Sequence, residues 1–220
     1  MLNLFFPKVC SGCGEILSKH EIVLCLRCRH ELPLVSHHLN GNPAMKDIFY
    51  GRIPVEHATA LFQFQKKGMT QELMHNLKYR EQRQISNFFG KWLGSELSEI
   101  SEYNDIDLVI PVPLHKQKLK KRGYNQVEGF GKEIANALNI SYCDNVLIKI
   151  SKTSSQVFKQ RLTRFNSEEI FAVQNTEQIM NKHILLVDDI VTTGATLENC
   201  ASQLRKGSNV KISLATMAIA

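Results

Sequence analysis

The segment that most constrains this chain is Ile184-Leu-Leu-Val-Asp-Asp-Ile-Val-Thr-Thr-Gly-Ala-Thr196, an apolar run that meets two adjacent carboxylates and then a turn of hydroxyls and glycine. It reads as a buried strand, a short turn and the opening of a helix. From residue 106 onward the same alternation repeats. Strands are expected at Ile106 to Val112, Val146 to Ile150, Glu169 to Val173, His183 to Val187 and Val210 to Met217. Helices are expected at Gln126 to Leu138, with Val127, Phe130, Ile134, Ala135 and Leu138 inward, and at Ala195 to Arg205. Such an order predicts a mainly parallel sheet with helices on its faces, where ligands bind beyond the carboxyl ends of the strands. The site is therefore to be sought at Pro111 to Lys116 and at Asp188 to Thr196.

The chemistry of the second segment is specific. Carboxylates are strong acceptors and a vicinal diol offers two donors, so Asp188 and Asp189 suit the 2- and 3-hydroxyls of a ribose or an associated Mg²⁺. The turn Thr192, Thr193, Gly194, Ala195, Thr196 supplies backbone N–H groups, hydroxyls and the positive end of a helix dipole, all of which favour a phosphate. Gly194 lets the backbone come close to it. Three other readings compete: an N-cap cluster, the acidic pocket of a receiver domain, or a different nucleotide loop. A receiver places its acids near the start of the domain, and no G-x-x-x-x-G-K-[ST] or G-x-G-x-x-G follows a strand. Gly129-Phe-Gly131 lies inside a helical pattern and points to no loop.

Four of the six cysteines form Cys10-Ser-Gly-Cys13 and Cys25-Leu-Arg-Cys28, two pairs separated by eleven residues. Two thiolates three apart on a tight turn grip one ion, and a second pair completes the tetrahedral shell that suits zinc. Gly12 and Gly14 fit a turn that needs positive φ and close approach to sulfur. Two disulfides are the rival reading, which a reducing cytoplasm disfavours. With four cysteine ligands no position stays open for water, so a structural role is expected. His20 and His30 read as surface residues, and Cys143 and Cys200 as ordinary thiols. Downstream, Ser36 to Pro43 reads as a linker, His57 to Phe64 as a strand ended by Lys67 and Gly68, and Thr70 to Tyr79 and Gln84 to Leu97 as helices. Their apolar faces, Leu73, Met74 and Leu77 in the first and Ile85, Phe88, Phe89, Trp92 and Leu93 in the second, read as core.

The 220 residues carry a formal charge of +6, which suggests an anionic partner, either phosphorylated small molecules or nucleic acid. Two stretches concentrate it without any acid: Lys116, Lys118, Lys120, Lys121 and Arg122, and Lys152, Lys159, Arg161 and Arg164. The apolar stretch Leu2 to Phe6 is too short for a signal sequence or a membrane span, so a cytoplasmic protein is expected.

Taken together, these residues resemble the type I phosphoribosyltransferases, whose phosphoribosyl pyrophosphate (PRPP) motif matches Val187 to Thr196, and within them the ComF family. The likeness extends to the paired Cys-x-x-Cys motifs, Glu72 to Tyr79, Pro111-Val-Pro-Leu-His115, Arg122-Gly-Tyr-Asn-Gln126 and the Arg164 to Phe171 region. It implies a type I fold, a central parallel sheet with a small hood, preceded by the four-cysteine zinc module. The corresponding division is a zinc module at 1–36, linker, hood and helical segment at 37–105, and the phosphoribosyltransferase-like core at 106–220. The resemblance also implies a pyrophosphate loop at Val112, Pro113, Leu114 and Lys116, with Arg122 and Asn125 close behind, and a catalytic loop at 151–166. Arg122, Arg161 and Arg164 would then stabilise charge on the leaving group.

One departure bears on substrate. Purine-type members often carry an acid at the position of Thr192 as a general base, and a Thr hydroxyl does not act so at neutral pH. Salvage of 6-oxopurines is therefore disfavoured. Two functions stay open: an enzyme displacing pyrophosphate from PRPP with Mg²⁺, and a DNA-uptake factor whose basic loops bind single-stranded DNA. The resemblance places the second beside the ComFA helicase in natural transformation. Tyr124, Phe158 and Phe165 are the few aromatics within the basic runs, a thin stacking platform.

Overall fold

The computed structural model describes residues 7–150 and 170–220. Among these, seven strands and eight α-helices follow one another along the chain. The strands are β1 (Ala58–Gln63), β2 (Leu108–Pro111), β3 (Ser141–Tyr142), β4 (Leu147–Ile150), β5 (Ile170–Val173), β6 (His183–Val191) and β7 (Lys211–Ile219). The helices are α1 (Leu26–His30), α2 (His37–Asn40), α3 (Ala44–Asp47), α4 (Met69–Tyr79), α5 (Gln84–Leu97), α6 (Lys116–Arg122), α7 (Glu128–Leu138) and α8 (Ala195–Leu204).

Five strands make one sheet in the order β1-β7-β6-β2-β3, every pair parallel. Burial on both faces explains the near-continuous apolar runs of β6 and β7. Strand alternation divides them between two cores. Leu185 and Val187 pack with Leu73, Phe89, Phe130 and Ile134 from α4, α5 and α7, whereas Ile184 and Leu186 pack with Phe49, Leu197 and Leu204 on the α8 side. These side chains are almost wholly withdrawn from water, a gain of roughly 1.5–3 kcal/mol for each large one. The mainly parallel sheet and its helices agree with the sequence reading.

Four elements differ from it. Val146 to Ile150 and Glu169 to Val173 were expected beside the other strands, but β4 and β5 pair antiparallel as a separate two-stranded ribbon. In this ribbon Leu147 is buried while Ile148, Lys149 and Ile150 are only half-buried, unlike the strands of the parallel sheet, which are covered on both faces. Ser36 to Pro43 is no free linker. Val35 N–H donates to Leu61 at 3.0 Å, and the His38 ring bridges Thr59 Oγ1 at 2.7 Å and Glu96 at 2.9 Å. Burial holds the His38 pKa down, although Glu96 opposes this. Finally, β6 does not stop at Val187 but continues to Val191 along β7.

That extension positions the site. From β2 the chain turns to β3 on one side, and β6 lies on the other, so the gap above β2 and β6 is a topological switch point, where sheets of this kind bind ligands. Pro111 is the last β2 residue paired with β6, opposite Val187. Asp188 and the three residues after it thus rise past the end of β2.

Candidate functional site

Asp188 and Asp189 are both buried, and as neighbours on a strand they leave it toward different surroundings. Asp188 lines a cavity of about 40 Å³ with Ile190 to Leu197, the scale of one small group. Thr192, Thr193, Gly194, Ala195 and Thr196 all border it, so the acid and the whole turn predicted for the 5-phosphate share one wall. Asp189 instead meets Lys78 Nζ at 2.9 Å and accepts from Gln126 Nε2 at 3.1 Å. Burial, and then the charge of Asp189, push the Asp188 pKa well above the usual carboxylate range. A cation or a set of hydroxyl donors arriving here would relieve that cost.

The turn is held from outside the sheet. Gly194 has φ 77° and precedes α8, so the first-turn amides of α8 open toward the cavity. A Cβ on Gly194 would lie 2.8 Å from both Ile48 and Phe49. Arg52, in the same segment as these two, donates to the Thr193 carbonyl at 2.7 Å and pairs with Glu198 of α8. The Ile48 to Arg52 contact was not anticipated from sequence; no local pattern ties residue 52 to a turn 141 positions away.

On the other side stands the basic stretch, which is a helix. The His115 ring accepts from Gln117 N–H at 3.2 Å and caps α6, and Gly123, with φ 78°, ends it. Lys120, Lys121 and Arg122 in its last turn are favoured by the helix dipole. Arg122 donates to Gln126 Oε1, and Gln126 reaches Asp189, so the cationic helix is wired to the acid pair. Arg122 also lies 5.5 Å above the Tyr79 ring. Lys78, Tyr79, Glu81, Lys118, Lys121, Arg122 and Tyr124 enclose a cleft of about 340 Å³ between α4 and α6.

The predicted pyrophosphate loop lies on the other flank of α6. Pro113, Leu114, Lys116 and Asn125 line a second cleft of about 440 Å³ with Asp144 and β4. Asn125 Nδ2 donates to the Val112 carbonyl at 3.0 Å, which fixes the loop's start. Among the predicted residues Arg122, Asp188, Asp189, the 192–196 turn and the Val112 to Asn125 segment thus gather round the switch point. Arg161, Arg164, Lys152 and Lys159, with Phe158 and Phe165, lie outside the described residues. Lys78 and Gln126 were missed as site residues, although both fall within the family-like segments Glu72 to Tyr79 and Arg122 to Gln126. A lysine in the last turn of a helix signals only a solvated tip until its partner is known.

The four cysteines come together as expected. Cys10, Cys13, Cys25 and Cys28 hold their sulfur atoms all within 4.8 Å of one another, with Cys13 and Cys25 at 3.7 Å. A tetrahedral zinc shell with bonds of about 2.3 Å needs sulfurs roughly 3.8 Å apart, so the donor set fits a metal ion. The thiols are free. Amides of Gly12 and Cys25 donate to Cys10 Sγ at 3.4 and 3.3 Å and, against its burial, bring its pKa down to about 7. Gly14 takes the expected positive φ of 79°, whereas Gly12 is required by space: a Cβ there would sit 2.9 Å from Met69. The knuckle packs on α4, where Asn76 Nδ2 donates to the Ser11 carbonyl at 2.9 Å.

Among the described residues no helix is long and apolar enough to cross a membrane.

The phosphoribosyl transferase domain family matches residues 128–218. Competence protein F of Haemophilus influenzae is 24% identical, over 93% of this chain and 88% of that protein. Competence protein ComFC of Bacillus subtilis is 29% identical, over 91% of this chain and 86% of that protein. Among solved structures, adenine phosphoribosyltransferase of Leishmania tarentolae aligns over 80% of this chain and 87% of its own, with 11% identity and a TM-score of 0.40.

Proposed function

Because the chain belongs to the ComF family and carries a phosphoribosyl transferase domain, we propose that it serves DNA uptake in natural transformation and that this domain holds PRPP. The observation that carries the ligand is the shared wall of Asp188 and the 192–196 turn at the switch point of a parallel sheet. In this reading the turn amides and hydroxyls bind the 5-phosphate, and Asp188 and Asp189 take the ribose hydroxyls. Mg²⁺ bound with PRPP would draw charge from the pyrophosphate, and two buried acids at one lip are a donor set that suits it. Zinc in the four-cysteine knuckle holds the fold together and leaves no ligand position for chemistry. The protein works in the cytoplasm, with ComFA as its helicase partner.

The distribution of cations supports two uses of the bound ligand. As an enzyme, the protein would let an acceptor form its bond to C1 while the bond from C1 to pyrophosphate breaks, with Arg122, Arg161 and Arg164 stabilising the departing charge. As a DNA factor, it would lay single-stranded DNA along the exposed face of α6, with Tyr79 as the neighbouring ring. Pyrophosphate release from PRPP in the presence of candidate acceptors tests the first, and wild-type release that survives Asp188→Asn with Asp189→Asn removes it. Single-strand affinity measured against salt tests the second; it should fall steeply and weaken when Lys120, Lys121 and Arg122 become Ala. Salt-independent binding would exclude a phosphate track.

A further inference from the structure

Asp189 already has a cation. Lys78 Nζ stands 2.9 Å from its Oδ2, with the lysine side chain only 24% exposed and the aspartate 6%. Three contacts fix the end of α4 that presents this lysine. Asn76 is tied to the Ser11 carbonyl of the knuckle, the Tyr124 hydroxyl donates to the Leu77 carbonyl, and the Tyr79 ring lies between His75 and Arg122. The ammonium is thus delivered to the acid by a braced helix end and not by a loose surface side chain. Gln126, which also reaches Asp189, is a neutral amide, so Lys78 is the cationic side chain in contact with either acid among the described residues.

The geometry points to Lys78 as a tethered counter-ion that occupies the cation position of Asp189 in the ligand-free protein and so keeps a bare divalent cation from binding the acid pair. An ammonium that neutralises a buried carboxylate removes most of that carboxylate's attraction for a second cation, and the covalent tether gives it a high effective concentration. A divalent ion then enters only with a ligand that brings its own negative charge, as a sugar pyrophosphate does. This deepens the reading of the site as one for a phosphorylated sugar and rests on it for the identity of the anion. The exclusion of bare metal, however, stands on the ion pair alone.

The test uses Mn²⁺ alone as the probe, followed by its electron paramagnetic resonance in zinc-loaded, full-length protein at pH 8. Wild type should take up Mn²⁺ no better than the Asp188→Asn, Asp189→Asn protein. Lys78→Met should bind one ion at least about tenfold tighter, a change of about 1.4 kcal/mol, and Lys78→Arg should behave as wild type. Lys78→Met combined with Asp189→Asn should lose the gain, which ties the new ion to the acid. Unchanged or weaker Mn²⁺ binding in Lys78→Met, with its circular dichroism and zinc content preserved, overturns the assignment. Equal tightening in Lys78→Arg overturns it as well. Because no sugar phosphate is present, these outcomes are separate from a failure of PRPP to bind.

Discussion

The two ends of β6 carry similar chemistry and use it differently. At the amino end His183 meets Asp105 at 2.9 Å through Nδ1 and Ser213 at 2.8 Å through Nε2, the residue types of a hydrolytic triad. Yet Ser213 is fully buried and accepts from the His57 amide at 3.1 Å, while the His183 amide donates to Asp107 at 2.8 Å. Both ring nitrogens and the serine hydroxyl have partners, and the cluster borders none of the clefts described above, so the arrangement fastens β6 to β7 and to the start of β2. At the carboxyl end Asp188 is also buried but lines a cavity, and clefts of about 340 and 440 Å³ flank α6 beside it. Residue type does not separate a structural knot from a site; unspent hydrogen-bonding capacity next to open space does.

Substitution at the carboxyl end of β6 should have the largest effect. Asp188→Asn with Asp189→Asn should weaken PRPP binding in Mg²⁺ at least about 100-fold by calorimetry, some 3 kcal/mol. Ser213→Ala should leave that affinity within about twofold while lowering stability by about 1–3 kcal/mol in urea, since it orphans buried partners. A Ser213→Ala protein that folds normally but no longer binds PRPP would erase the distinction.

Gly194→Ala should show a combined effect. It sets a Cβ against Ile48 and Phe49 at positive φ, so both stability and phosphate affinity should fall, by about 1–3 kcal/mol in stability. Equal affinity would detach the turn from the ligand.

Asp188 alone makes a prediction of opposite sign. Burial raises its pKa above the ordinary value of 3.8, so the folded state holds the proton more tightly than the unfolded chain. The stabilisation this brings is full below that value and is lost as pH rises through the folded pKa. Asp188→Asn should therefore melt higher than wild type at pH 8, each kcal/mol being worth about 2–4 °C for a chain of this size. The advantage should vanish near pH 4. A variant that melts lower at pH 8 would mean that the carboxylate is well compensated without ligand.

The smallest effect belongs to α6. Lys118→Ala and Lys121→Ala should leave the fold and PRPP affinity unchanged and reduce the logarithmic salt slope of single-strand binding by about 0.7 for each phosphate that is no longer neutralised. A slope that stays at the wild-type value in both variants would take the DNA track off this helix.

Much of this site was legible in the chain, because its main parts are local. The strand, the acids, the turn and Gly194 follow one another within thirteen residues, and the cysteine spacing is likewise a short-range signal. What escaped is non-local. Lys78, Gln126 and Arg52 become site residues only when α4, the turn after α6 and the Ile48 segment are packed against β6, at separations of 63 residues for Gln126 and Asp189 and 141 for Arg52 and Thr193. The linker expectation at Ser36 to Pro43 failed for the same reason: His38 finds Glu96 58 residues away, and polar composition says nothing of that. The β4 and β5 ribbon was misplaced because an isolated apolar run does not say which sheet it joins.

The central claim is that the acid pair and the turn clasp a phosphorylated ribose, and a crystal structure with ribose 5-phosphate and Mg²⁺ tests it most directly. The phosphate is expected against the backbone amides of 193–196 and the sugar hydroxyls at Asp188 and Asp189. A sugar phosphate seated only on the basic face of α6, with the cavity beside Asp188 empty, would contradict it.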